Sequence, residues 1–250
     1  MKPKAPRARL DILLVERGLA ASQQEAQAMI LAGEVQMNGN RADKAGVRVA
    51  ADARIEVTSR KLKYASRGGL KLEGALQDFV LSPFRHVCLD VGSSTGGFTD
   101  CLLQRNAAKV YAVDVNTSQL AWKLQQDPRV IQIRRNARAF KSDDLPEQVD
   151  LVLVDVSFIS IGKIIVPVSA CARPGADFLL LVKPQFELGR KEVGPGGIVK
   201  DAQLHEKAIA TVKKAAEAAG LICLEVHPSR LPGAEGNQEF FMHARKGPMK

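Results

Sequence analysis

At 250 residues, with 46% apolar and 25% charged side chains, the chain has room for one domain of ordinary size and a smaller companion, and its composition excludes a collagen, a long coiled coil or wholesale disorder. Thirty-six Lys and Arg against 27 Asp and Glu leave a formal charge of +9, which points to a polyanionic partner, either nucleic acid or anionic lipid. Cys88, Cys101, Cys171 and Cys223 are scattered through apolar stretches with no closely spaced pair, so neither a zinc site nor a thioredoxin-like motif is expected, and reduced thiols in a cytoplasmic setting are.

The basic start of the chain lacks the apolar run and cleavage site of a signal peptide, and no segment approaches the roughly 18 apolar residues of a membrane span. Leu10, Leu13, Leu14 and Leu19 keep helical spacing, Ser22 reads as the cap of a second helix reaching about Ala32, and Gly33 stops it. Val35 to Met37 reads as a strand entering an Asn38-Gly39 turn, with Arg54 to Val57 as its partner. Residues 1–59 therefore form a small α+β module. Residues 60–69, basic and glycine-containing, read as a linker, and 70–250 as the second domain. After a helix over 70–79, apolar runs at 86–91, 110–115, 130–133, 151–156, 178–182, 222–226 and 240–244 alternate with helical patterns. That alternation predicts an α/β fold with a mainly parallel sheet covered on both faces.

The stretch Asp90-Val91-Gly92-Ser93-Ser94-Thr95-Gly96-Gly97-Phe98 closes one strand and opens a helix, a setting in which glycines let the backbone approach a bound group. Asp114 ends the next strand, where a carboxylate reaches ribose hydroxyls. There is no Gly-Lys-Ser for a triphosphate, and an acidic residue leading the loop repels a pyrophosphate. It suits a ligand with an amino group and a sulfonium, such as S-adenosylmethionine. Asp155 and Lys183 each end a strongly apolar strand, which places both charges at the ligand-binding edge of a parallel sheet, where such a pair tunes proton affinity and orients a hydroxyl.

Further motifs carry a resemblance. Arg9-Leu10-Asp11, Gly18-Leu19, Ser22, Ala26, Ile30, Gly33, Val35 and Asn38-Gly39 resemble the S4 RNA-binding domain. Ser66-Arg67-Gly68-Gly69-Leu70-Lys71-Leu72, the glycine loop through Thr99-Asp100, Asp155-Val156-Ser157-Phe158, Val182-Lys183-Pro184-Gln185-Phe186-Glu187 and Gly196-Gly197-Ile198-Val199-Lys200-Asp201 resemble the FtsJ-like ribose methyltransferases. The order of the two parts is similar to the TlyA or haemolysin A family of S4-containing rRNA methyltransferases. The resemblance implies a Rossmann-like class I fold with a seven-stranded sheet, and methyl transfer from S-adenosylmethionine to a ribose 2'-hydroxyl of ribosomal RNA, at cytidine in 16S or 23S rRNA.

It further implies a catalytic tetrad of Lys71, Asp155, Lys183 and Glu239, in which Lys183 orients or deprotonates the hydroxyl, Asp155 and Lys71 set the electrostatics, and Glu239 holds Lys183 or the ribose. Asp90, Gly92, Ser94, Gly96, Gly97 and Phe98 would face the methionine part of the cofactor, Asp114 its ribose, and Asn136 with Ala137 its adenine; no metal is implied. The chain departs from the pattern at Gln23, where S4 domains commonly carry Arg, and at Tyr64, where some members carry a linker Trp. Arg9, the linker cluster Arg60, Lys61, Lys63 and Arg67, and Arg134, Arg135 and Arg138 are the expected RNA phosphate contacts. The segment from Arg190 to Lys200 reads as a mobile loop over the substrate. Two other readings stay open: an RNA-binding assembly factor that merely keeps the pocket, and a membrane-lytic protein, which the lack of an apolar span or long amphipathic helix opposes.

Overall fold

A computed structural model of the chain describes residues 7–20, 22–31, 33–42, 44–57, 63–189, 191–233 and 235–248 and divides into two compact units, Met1–Leu62 and Lys63–Lys250. The first holds β1 (Arg7–Arg9), α1 (Leu10–Glu16), α2 (Gln23–Leu31), β2 (Val35–Met37), β3 (Asn40–Arg41), β4 (Arg48–Ala50) and β5 (Ile55–Val57). Leu10, Leu13 and Leu14 of α1 pack against Ala26 and Ile30 of α2 and against Val35 and Val49 of the strands, a small core closed on itself. Ser22 Oγ accepts the Glu25 amide at 3.1 Å and so caps α2. Asn38 and Gly39, with φ of 50° and 83°, make the tight turn that pairs β2 with β3, and β5 pairs on the other side of β2. α1 stops before the expected Leu19, because Gly18 takes a left-handed φ of 67° and turns the chain.

A single carboxylate organises this unit. Asp11 is fully buried and accepts from Arg9 Nε (3.0 Å) and Nη2 (2.8 Å), from Gln23 Nε2 (3.0 Å) and from Gln27 Nε2 (2.8 Å). The Arg9 guanidinium holds its carboxyl well below the usual range, so this stabilisation is complete above the ordinary carboxylate range and fades only as acid titrates the folded group. Asp11→Ala strands the donors of three side chains at once and is expected to lower the melting transition of the first unit by about 10 °C. Hydrogen exchange in α1 and α2 checks this, and unchanged protection there would refute it.

The second unit contains α3 (Gly68–Asp78), β6 (Val87–Val91), α4 (Gly97–Gln104), β7 (Lys109–Asp114), α5 (Trp122–Gln125), β8 (Val130–Arg134), β9 (Val149–Val154), α6 (Ile165–Ala170), β10 (Ala172–Val182), α7 (Pro184–Glu187), α8 (Ala202–Ala218), β11 (Leu221–Pro228) and β12 (Phe240–Lys246). Seven strands form one sheet in the order β11-β12-β10-β9-β6-β7-β8. The pairs from β10 through to β8 are parallel, and β12 runs antiparallel to both neighbours. Side chains alternate along the central strands. Val152, Val154, Phe178 and Leu180 enter the core beneath α6 and α8, whereas Leu151, Leu153, Leu179 and Leu181 enter the one beneath α3 and α4. Burial on both faces is why these strands are apolar at every position.

Residues 63–69, expected in a linker, fold with this unit. Tyr64 is buried, the Ala65 amide donates to Asp100 Oδ2 at 2.7 Å, and Gln104 Nε2 donates to the Lys63 carbonyl at 2.8 Å. A Cβ on Gly97 would lie 2.2 Å from Ser66 Oγ and 2.9 Å from the Gly69 amide, so α3 and α4 meet backbone to backbone. Arg60 and Lys61 lie outside the described residues.

Candidate active site

Three consecutive parallel strands, β9, β6 and β7, open a cleft at their carboxyl ends, as open α/β sheets do. At the end of β6, Asp90 is fully buried. Thr99 Oγ1 donates to its Oδ2 at 2.6 Å, its Oδ1 has no hydrogen-bond partner among the described residues, and burial pushes its carboxyl up to about 7. Gly92 follows with a φ of +90°, and a Cβ there would fall 2.1 Å from the Asp155 carbonyl oxygen. Only glycine lets the loop cross the end of β9 so closely. The Ser94 amide donates to Asp114 Oδ2 (2.9 Å) and the Asn116 amide to Asp114 Oδ1 (3.0 Å), which fixes that carboxylate at the end of β7.

A cleft of about 430 Å³ is lined by Gly92, Ser94, Asp114, Asn136, Ala137 and Asp155, together with Gln119, Arg135, Arg138, Ser157 and Phe158. Asp90 lies beneath this wall instead of on it. Gly96, Gly97 and Phe98 turn away from it: Gly96 backs onto Leu120 and Leu124, Gly97 onto α3, and Phe98 is buried with its ring 6.1 Å from that of Phe241. The second half of the glycine motif thus serves packing, and the first half shapes the cleft.

Four charged groups stand at the same edge of the sheet as two ion pairs. Lys183 Nζ lies 2.6 Å from Asp155 Oδ1 and donates to Ser157 Oγ at 3.0 Å. Lys71 Nζ donates to Glu239 Oε2 at 2.6 Å, with the glutamate side chain 3% exposed. The pairing of Val182 with Phe240 brings the backbones of Lys183 and Glu239 side by side on neighbouring strands. Glu239 therefore holds Lys71, while Asp155 and Ser157 hold Lys183.

Several residues expected on RNA are engaged elsewhere. Arg9 is spent on Asp11, and Lys63 pairs with Glu73. Arg134 Nε donates to the Val115 carbonyl at 3.2 Å, and Arg135 pairs with Asp144 while lining the cleft. Arg138 also lines the cleft and is exposed, as is Arg67. The segment expected to move over the site is anchored: buried Asn237 donates Nδ2 to the Gly197 carbonyl and accepts the Val199 amide, both at 2.9 Å. Arg190 lies outside the described residues. Ser157 and Phe158, which the sequence offered only as part of the Asp155-Val156-Ser157-Phe158 motif with no role of their own, also line the cleft. Phe158 is 88% exposed with a φ of 63°, next in sequence to the Ser157 that Lys183 reaches.

The FtsJ-like methyltransferase family matches residues 64–246 and the S4 domain residues 8–55. The 16S/23S rRNA (cytidine-2'-O)-methyltransferase TlyA of Mycobacterium tuberculosis is 45% identical over 96% of this chain and 91% of its own. Hemolysin A of Brachyspira hyodysenteriae is 40% identical over 94% of this chain and 98% of its own. A solved Streptococcus thermophilus structure named as a hemolysin superposes with a TM-score of 0.74 at 40% identity, covering 97% of this chain and 89% of that one. The chain belongs to the TlyA and hemolysin A family, an FtsJ-like methyltransferase with an S4 domain. Among the described residues no acidic, cysteine or histidine cluster is arranged for a metal ion, and no helix is long and apolar enough to cross a membrane.

Proposed function

We propose that this protein transfers a methyl group from S-adenosylmethionine to the 2'-hydroxyl of a cytidine ribose in ribosomal RNA, in 16S or 23S rRNA as the name of its TlyA relative states, and that it works in the cytoplasm. The observation that carries this reading is Lys183 Nζ, held between Asp155 Oδ1 and Ser157 Oγ at the rim of a cleft whose opposite wall presents the Asp114 carboxylate. The residues fit the methyl donor: Asp114 faces the cleft as a ribose partner, Gly92 lines it with backbone alone, and the unsatisfied Asp90 oxygen supplies negative potential below it. When bound, the donor supplies a methyl carbon already activated by a sulfonium.

The chain's own residues then have two tasks. Lys183 fixes the 2'-oxygen in line with that carbon, an entropic gain that provides a large share of the rate. Asp155 and Lys183, 2.6 Å apart, take up between them the proton that the hydroxyl loses. Lys71 and buried Glu239 form the second charge-balanced pair at this edge and keep the local field from being set by Lys183 alone. Phe158 offers an exposed ring beside the lysine on which the target base stacks, the usual way single-stranded RNA bases are held. Arg67 and Arg138 supply phosphate contacts.

Mass spectrometry of rRNA nucleosides after incubation with the protein and labelled cofactor tests the proposal. Label in 2'-O-methylcytidine is the expected outcome; label in a base, or none in RNA while the cofactor still binds, would replace it with base methylation or with a binding-only role.

A further inference from the structure

The loop after β9 is fastened at both ends by the segment after β10. At its front, Lys183 Nζ meets Asp155 Oδ1 at 2.6 Å and Ser157 Oγ at 3.0 Å. At its back, one carboxylate takes two donors: Ser160 Oγ reaches Glu187 Oε2 at 2.6 Å and the Ile161 amide reaches Glu187 Oε1 at 2.9 Å. Lys183 and Glu187 bracket the single turn of α7. That turn is stiffened by Pro184 at its first position and closed by hydrogen bonds from the Phe186 amide to the Lys183 carbonyl (2.9 Å) and from the Leu188 amide to the Pro184 carbonyl (3.1 Å).

Between the two fastenings stands Phe158, a bulky residue with a φ of 63° and a ring 88% exposed. Its ring contact is with Phe186, 5.2 Å away between centroids. A non-glycine residue in the left-handed region costs on the order of 1–3 kcal/mol and persists only where its surroundings over-determine it. One aromatic contact at an exposed site does not supply that. The two bonds to Glu187 do, because they fix the chain two and three residues further on. Burial pushes the Glu187 carboxyl up, so the fold accepts a desolvation cost at this position, and the Ser160 and Ile161 donors offset it.

We propose that Glu187 is a positioning residue for methyl transfer: through Ser160 and Ile161 it holds the 155–161 loop in the conformation in which Asp155 and Ser157 meet Lys183 and Phe158 faces the cleft. The part that concerns the reaction rests on the function proposed above; the part that concerns the loop does not. Glu187 is not among the residues that line the cleft. Its carboxylate acts at a distance, by deciding where the tip of the loop stands.

The test compares full-length wild type with Glu187→Ala, Glu187→Gln and Ser160→Ala by hydrogen-exchange mass spectrometry and by steady-state methylation of rRNA. Glu187→Ala is expected to speed exchange in the 155–161 segment at least about tenfold, with the central strands unchanged, and to lower kcat about 10²-fold with both KM values within about threefold. Glu187→Gln keeps an acceptor for the Ile161 amide, and the Ser160 hydroxyl can rotate to accept from the new NH2, so it is expected to recover most of the turnover. Ser160→Ala removes one of the two bonds and is expected to show the same pattern at smaller amplitude, which decides the matter even if Glu187→Ala fails to fold. In Glu187→Ala, unchanged exchange at 155–161, a kcat within about twofold of wild type, or exchange rising equally throughout the second unit would each overturn the proposal; if that variant does not fold, unchanged exchange at 155–161 in Ser160→Ala does so. If wild type methylates no ribose, the functional reading fails, and the exchange data still decide whether Glu187 anchors the loop.

Discussion

Lys183→Ala is expected to reduce methyl transfer by about 10³-fold or more while leaving affinity for S-adenosylmethionine within a few-fold. Lys183 touches Asp155 and Ser157 and is absent from the wall formed by Ser94, Asp114, Asn136 and Ala137, so its loss removes the partner of the hydroxyl and spares the nucleoside wall. It also uncovers the Asp155 carboxylate, whose charge then favours binding of a cationic donor. Lys183→Arg separates the two roles of the lysine. A guanidinium keeps the charge and can orient an oxygen, yet it does not give up its proton, so activity near that of the alanine variant assigns proton uptake to Lys183, and substantial activity assigns it to Asp155. Calorimetry for the cofactor and nucleoside mass spectrometry for the product measure the two sides. Full transfer by Lys183→Ala would remove the lysine from the mechanism.

The sheet was legible because its strands are buried on both faces. The runs ending at Asp155 and Lys183 are apolar at every position, and a charge that closes such a run stands out. What lay below the resolution of sequence patterns was short or distant. β1 and β4 are three residues each, too few for alternation to register. Lys71 and Glu239 are 168 positions apart and each sits in an unremarkable polar context, so only the family resemblance drew attention to them, and only the fold shows that they are each other's partners. Arg135 and Arg138 read as part of a basic surface cluster because the short turns around Asn136 carry no periodicity that would say which way they face; both line the cleft. The glycine loop misled in the opposite direction. Gly92 and Gly96-Gly97 look alike in sequence, yet the first lets the cleft-lining loop cross the end of β9, while the others clear contacts with Leu120, Leu124 and the start of α3.

Asp90 offers a second large effect, visible in pH. With a folded carboxyl pushed up to about 7 by burial and an ordinary value near about 4 in the unfolded chain, the native state between those limits holds a proton that the unfolded state has lost. Stability from this group is therefore greatest in acid and declines as pH rises through that window, by at most about 4 kcal/mol. Asp90→Asn cannot titrate and still accepts from Thr99 Oγ1, so the difference in melting temperature between pH 5 and pH 8 is expected to shrink in the variant, chiefly through higher stability at pH 8. Cofactor binding should move the other way. If the unsatisfied Asp90 oxygen supplies charge beneath a cationic donor, wild-type affinity strengthens as pH rises toward neutrality with proton release on binding, and Asp90→Asn binds about tenfold more weakly with no pH dependence. Calorimetry in two buffers of different ionisation enthalpy counts that proton directly. A wild-type affinity flat from pH 5 to pH 8 would confine Asp90 to its bond with Thr99 and leave Asp114 as the acidic group that recognises the cofactor.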